Sequence, residues 1–203
     1  MPRWLPAALA AIALAAVAAV LGVRYLVPAE QAATAQEGEV PIGGPFVLTD
    51  HTGRRVTDQD FRGRFMLVYF GYTSCPDMCP LGLQTISQAL DELPPELQDQ
   101  VVPLFMTVDP ARDTVEVLRD YLQPFHPRLI GLTGSEAEVA EALRAYRVYA
   151  RKAEPAASDG SYLVDHSTFT YLMDRDGKYL SHFGHSTTPE EMAKRLGELL
   201  AAG

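Results

Sequence analysis

The 203 residues include 17 basic and 26 acidic side chains, for a net charge of −9, and only two cysteines. All 26 acidic residues lie from Glu30 onward, where 15 basic residues oppose them, so this part of the chain carries a net charge of −11. Such an acidic surface repels phosphate backbones and argues against a nucleic-acid partner.

From Leu5 to Val23 no residue is charged, and Ala, Leu, Ile and Val dominate. Nineteen such residues form a helix of roughly 28 Å, close to the hydrocarbon thickness of a bilayer. A cleaved secretory signal has a shorter apolar core and a small-residue cleavage site. Ala33-Thr34-Ala35 supplies such a site, but the length of the run favours a retained anchor. Residues 1–29 are therefore expected to form a single transmembrane helix, residues 30–44 a linker and residues 45–203 one folded domain. Arg3 and the amino terminus on one side balance Arg24 on the other, so charge counting leaves the orientation open.

Pro45 to Thr49 followed by Asp50-His-Thr-Gly53 predicts a strand and a turn. Phe65 to Phe70 is a continuous apolar run of strand length, as in a sheet covered on both faces. Leu83, Ile86, Leu90 and Leu93 recur at helical spacing until Pro94-Pro95 stops the helix. Val101 to Val108 is a second buried strand, Val115 to Leu122 a helix and Leu129 to Leu132 a short strand. Ser135 with Glu138 is a capping box for a helix reaching about Tyr146. Tyr162 to Asp165 is short and extended, and Asp174-Arg-Asp-Gly177 is a hairpin turn between Phe169–Met173 and Lys178–Phe183. Thr188-Pro189-Glu190-Glu191 starts a last helix, whose apolar face is Met192, Leu196, Leu199 and Leu200. Strands alternating with helices, closed by a hairpin and a helix, give an α/β sandwich, and the order resembles a thioredoxin fold with extra elements.

Both cysteines sit in Cys75-Pro-Asp-Met-Cys79, directly after a buried strand and before a helix. Proline is tolerated in a first turn but costs about 3 kcal/mol in a helix interior, so the helix is expected to begin near Pro80 with both thiols in the turn before it. There the positive end of the helix and its free N–H groups favour thiolate. Residues four apart in a helical turn have Cβ atoms about 5–6 Å apart, close enough for a shared metal or, after adjustment, a disulfide. A lone cysteine is usually a small buried hydrophobe. Two at one strand-to-helix turn, with none elsewhere, point to a functional pair.

Gly71-Tyr-Thr-Ser-Cys-Pro-Asp-Met-Cys-Pro80 resembles the signature of the Sco (SenC) family of copper chaperones for cytochrome c oxidase assembly. Thr107-Val-Asp-Pro-Ala-Arg-Asp-Thr114, Gly131-Leu-Thr-Gly134 and Val164-Asp-His-Ser167 are similar to further family motifs, in the family's order. The resemblance implies a thioredoxin-like fold and a part in assembling the dicopper site of cytochrome oxidase subunit II. Members act as copper donors, as reductants of that subunit's cysteines, or both. It also implies one copper per chain, as Cu(I) or Cu(II), held by Cys75, Cys79 and His166, with Cys75 and Cys79 as the redox-active pair. Subunit II, other periplasmic copper carriers and the membrane are the implied partners, and the domain is placed in the periplasm on a bacterial inner membrane. Two thiolates and an imidazole are a soft set suited to Cu(I) and tolerable for Cu(II), although zinc accepts the same trio.

The other histidines are read as structural. His51 and His126 fall in turns and are expected to be solvated, and His182 and His185 flank Phe183-Gly184 near the last hairpin. Met78 is expected to pack rather than ligate. Asp77, Asp109, Asp113 and Asp165 are expected to serve turns or caps, while Tyr69, Phe70 and Tyr72 pack the sheet and shield the site. The competing reading is a thiol–disulfide oxidoreductase of the thioredoxin or peroxiredoxin type without a metal role. Three residues rather than two separate the cysteines, Thr168 stands where thioredoxins place a cis-proline, and the proline and threonine setting of a peroxidatic cysteine is absent. These features count against thiol exchange as the only activity, although the dithiol can still cycle.

Overall fold

The computed structural model describes residues 41–153 and 162–202. The expected transmembrane helix lies outside these residues, and among the described residues no helix is long and apolar enough to cross a membrane. Seven strands form one mixed sheet in the order β2-β1-β5-β4-β3-β8-β9. They are β1 (Val47–Asp50), β2 (Arg55–Thr57), β3 (Phe65–Gly71), β4 (Val101–Thr107), β5 (Ile130–Thr133), β8 (Thr170–Met173) and β9 (Tyr179–Phe183). A separate two-stranded ribbon pairs β6 (Ala150–Lys152) with β7 (Val164–His166). The helices are α1 (Met78–Asp91), the single turn α2 (Pro95–Gln98), α3 (Val115–Leu122), α4 (Glu136–Ala145) and α5 (Pro189–Ala202).

Every residue of β3 and β4 is buried, which explains their unbroken apolar runs: parallel strands in mid-sheet are covered on both faces. Proline is rare in such a strand because it cannot donate to the ladder. Pro103 is accommodated because β5 begins to pair only at Leu104, so β4 has a single neighbour at that level. With α1 between them, β3 and β4 form the βαβ half of a thioredoxin-like motif; β8, β9 and α5 form the ββα half.

The termini follow the expected local chemistry. Ser135 Oγ accepts from the Glu138 N–H at 3.3 Å while Glu138 Oε2 accepts from the Ser135 N–H at 2.8 Å, completing the capping box of α4. Thr188 Oγ1 accepts from the Glu191 N–H at the start of α5. Asp174 Oδ1 accepts from the amides of Asp176 and Lys178 in the hairpin, and Gly177 supplies the φ of +70° that the turn requires.

Helix α1 starts at Met78, two residues before Pro80. Proline is its third residue, still within the first turn, where the missing N–H has no intrahelical partner to lose. Cys79 thus lies inside the helix and only Cys75 in the turn before it. Strands β2 and β6 were not expected, because three residues such as Arg-Val-Thr or Ala-Arg-Lys are too short to show a period. His126, expected in a solvated turn, is buried; its main-chain N–H donates to Ser87 Oγ at 3.1 Å and its Nδ1 accepts from the Arg128 N–H at 3.2 Å. His51 is half-buried, and its Nδ1 accepts from the Gly131 N–H at 3.1 Å.

Aromatic side chains define the two faces of the sheet. Tyr69 and Phe105 share the face carrying α1 and α3, where Phe105 meets Tyr121 of α3. Phe70 points the other way, against Tyr146 at the end of α4 and Tyr171 of β8. At the end of β3, Gly71 leaves bare backbone where α1 returns over the sheet. A Cβ there would stand 2.8 Å from both Cys79 Sγ and Phe105 Cε2. Gly71→Ala is therefore expected to destabilise the fold by about 1–3 kcal/mol through overpacking. Gly197→Ala, on a helical residue with nothing within 4 Å of the added carbon, is expected to stabilise it by about 0.4–1 kcal/mol. Urea unfolding of the two variants checks both signs; an unchanged midpoint for Gly71→Ala would show that the contact has slack.

Candidate metal centre

Both cysteines are free thiols. The Cys75 N–H donates to Tyr72 O at 3.2 Å, closing the turn that leaves β3. The Cys79 N–H, one of the unpaired amides of the first turn of α1, donates to Cys75 Sγ at 3.4 Å. The expected help from the helix end therefore reaches Cys75 as a hydrogen bond.

Cys79 is different. It is fully buried over Gly71, and this burial pushes its thiol well above the ordinary cysteine range, with the neighbouring Cys75 sulphur adding to the rise. The expectation that the helix end favours thiolate at both positions is corrected here. Loss of water disfavours the charged sulphur more than the Tyr72 main chain and the Tyr69 hydroxyl favour it.

His166 closes the group from the far end of the chain. Its Nε2 lies 3.5 Å from Cys79 Sγ, and its Nδ1 lies 2.8 Å from Ser167 O. A carbonyl can only accept, so Nδ1 carries the proton and the Nε2 lone pair faces the sulphur. Burial lowers the imidazole's pKa, which keeps the ring neutral. A histidine fixed through its other nitrogen, with a free lone pair beside a thiol, has the tautomer a metal ligand requires. Among the described residues, no group of three or more Cys, His, Asp or Glu side chains stands at metal-binding spacing in this conformation. Cys79 and His166 already meet, whereas the Cys75 sulphur is engaged by the Cys79 amide.

The shielding aromatics do more than pack. The Tyr69 hydroxyl donates to Met78 O at 3.3 Å, and Gly82 makes room for it: a Cβ at Gly82 would stand 2.8 Å from Tyr69 Cζ and its hydroxyl oxygen. Phe70 packs on the opposite face, away from α1. The Tyr72 ring meets His166 edge-on at 5.8 Å, and its hydroxyl accepts from the Val164 N–H at 3.2 Å. Met78, expected to pack, is exposed beside a groove that also involves Leu81, Thr168 and His185. His182 is exposed and bonded through Nδ1 to the Tyr179 hydroxyl.

The aspartates divide. Asp77 stands at the N-cap of α1 without a side-chain cap bond, and Asp165 is exposed opposite Arg151 in the ribbon. Asp109 and Asp113 are buried and serve tertiary links instead of the expected caps or turns. Asp113 accepts from the Thr73 N–H, the Thr73 hydroxyl at 2.6 Å and the Thr107 hydroxyl at 2.6 Å, binding the loop before Cys75 to the end of β4. Asp109 receives the Tyr162 hydroxyl at 2.8 Å and pairs with Arg112 Nε. Arg112 was not singled out in the sequence, where its only signal is its place within the Thr107–Thr114 motif.

Residues 34–201 match the SCO1/SenC family model. The chain is 45% identical over 163 residues to Protein sco1 of Schizosaccharomyces pombe, covering 79% of this chain and 61% of that protein. It is 44% identical over 167 residues to Protein SCO1 homolog, mitochondrial, of Homo sapiens, covering 81% of this chain and 52% of that protein. It thus spans roughly half to three-fifths of these curated relatives. Among solved structures, Bradyrhizobium japonicum ScoI with copper bound is similar, with a TM-score of 0.72 and 46% identity, covering 78% of this chain and 99% of that one. A family match over most of the chain, with the fold superposing on a relative of that identity, makes this protein a member of the SCO1/SenC family.

Proposed function

We propose that this protein is a copper-binding metallochaperone that helps assemble the dicopper site of cytochrome c oxidase subunit II, with Cys75, Cys79 and His166 as its copper ligands. The observation that carries this reading is the unprotonated Nε2 of His166 facing the Cys79 sulphur at 3.5 Å, with the Cys75 sulphur on the adjoining turn. Rotation of the Cys75 side chain away from the Cys79 amide would complete the trio. Similarity to ScoI with copper bound supports copper as the cargo, and the soft donor set suits it. Three protein ligands leave a position through which an incoming ligand can take the metal. Because the Cys79 thiol is protonated at rest, loading copper also releases a proton from the buried site.

A second activity is compatible with the same residues. The neighbouring thiols can pass two electrons and two protons to a disulfide of subunit II, leaving a Cys75–Cys79 disulfide behind. Residues 1–29 serve in this reading as the anchor to a bacterial inner membrane, with the domain in the periplasm, where subunit II and other copper carriers are reached. The acidic domain has no role with nucleic acid.

The reduced protein is expected to bind one copper per chain, and Cys75→Ser or Cys79→Ser to abolish stoichiometric binding. Metal analysis after gel filtration checks this; one copper retained by the double variant would rule out the site. His166→Ala is expected to lower Cu(I) affinity only partly, since Cu(I) accepts two-coordinate sulphur, but to remove most Cu(II) binding while the thiols still cycle. Copper spectra and thiol titration decide, and an unchanged Cu(II) spectrum would show that His166 is no ligand. The full-length protein is expected to stay with membranes through high-salt and carbonate washes; a mature N-terminus at Gln36 would instead identify a cleaved signal.

A further inference from the structure

His166 ends β7, and among the described residues β7 pairs only with β6, in a ribbon outside the seven-stranded sheet. An isolated two-stranded ribbon is marginally stable in water, so its own ladder does not by itself fix the imidazole. Contacts with the body of the domain must do so, and they converge on Tyr72 and Arg112.

Tyr72 touches both halves of the site through three different groups. Its carbonyl accepts the Cys75 N–H at 3.2 Å, its hydroxyl accepts the Val164 N–H at 3.2 Å, and its ring meets the His166 ring edge-on. Arg112 locks the start of the ribbon. Its Nε pairs with the buried Asp109, and its Nη1 donates to Tyr162 O at 3.0 Å. The guanidinium carbon lies 3.8 Å from the centroid of the Tyr162 ring and 5.5 Å from that of Tyr72. Asp109 also holds the Tyr162 hydroxyl at 2.8 Å, so both ends of Tyr162 are tied. A planar fork that meets a carboxylate, a carbonyl and two ring faces has no equivalent in lysine.

We infer that Tyr72 and Arg112 are positioning residues for His166, fixing the ribbon so that its imidazole stays beside the Cys79 sulphur. The inference deepens the copper reading and rests on His166 being a ligand. It follows that the two residues act on the copper state that depends on nitrogen, Cu(II), and much less on the state that sulphur alone can hold.

The test uses the full-length protein. In the reduced, metal-free form, Tyr72→Phe, which keeps the ring and removes only the hydroxyl, is expected to speed hydrogen exchange of the Val164 amide at least about tenfold. Tyr72→Phe and Arg112→Met are each expected to weaken Cu(II) binding by about 10–100-fold, the usual cost of removing a group that orients a ligand. Cu(I) affinity should change by less than about threefold, and in a His166→Ala background neither substitution should weaken Cu(II) binding further. Unchanged Val164 exchange, unchanged Cu(II) affinity, or equal losses for both copper states would overturn the inference. If Arg112→Met does not fold, Tyr72→Phe decides alone. If His166→Ala itself leaves Cu(II) binding intact, the ligand assignment fails and the inference with it. If His166→Ala loses Cu(II) and the Tyr72 and Arg112 variants keep it, only the inference fails.

Discussion

The Cys79 sulphur rests on Gly71, the last residue of β3, at a place where any side chain would collide with it. That contact sets how closely α1 can approach the sheet, and the approach decides the rest of the site. It buries the thiol, brings the first-turn amide of Cys79 onto the Cys75 sulphur and leaves a gap that His166 fills from β7. Gly82 does the same one turn further on, where the Tyr69 phenol passes beneath the helix. Two glycines at close approaches thus let a cysteine turn lie flush against a sheet instead of standing off it.

Burial gives the site its resting charge. A thiolate in this position would lose its water without a cation to replace it, so the sulphur keeps its proton and the imidazole beside it stays neutral. A metal ion held here, as proposed, would reverse that balance by supplying the missing positive charge and would release the proton. The same enclosure keeps solvent from the Cys79 sulphur, while Cys75, at 9% exposure, lies slightly nearer the surface.

Around this centre the buried aspartates act as tertiary fasteners. Asp113 collects one amide and two hydroxyl donors, and its own carbonyl accepts the Thr133 hydroxyl at 2.7 Å, so the cysteine loop, β4 and β5 meet at one residue. Burial raises its carboxyl pKa, and the three donors pull it back only in part. Such a carboxylate is tolerable only because every contact it makes is with a donor. Asp109 does the parallel work for Arg112 and Tyr162, and so for the segment leading to His166.

Much of the fold was legible from local rules. Unbroken apolar runs gave β3 and β4, caps gave the starts of α4 and α5, and the Asp174–Gly177 turn gave the closing hairpin, because each is decided by residues a few positions apart. The cysteine pair at a strand-to-helix turn was equally local, and the family motifs pointed to His166 as its companion. Strands β2 and β6 left no trace, since three residues carry no period, and the burial of His126 depends on Ser87, thirty-nine positions away. What the sequence by itself determined was the order of the main strands and helices and the place of the cysteine pair between β3 and α1. The tertiary structure alone decided that Cys79 meets an imidazole 87 residues away, that its thiol is pushed up and not down, and that Tyr72, Arg112 and Asp113 stand around it. The reason is physical: caps and periods act over one or two turns, whereas desolvation and long-range contacts depend on what distant parts of the chain bring to the same place.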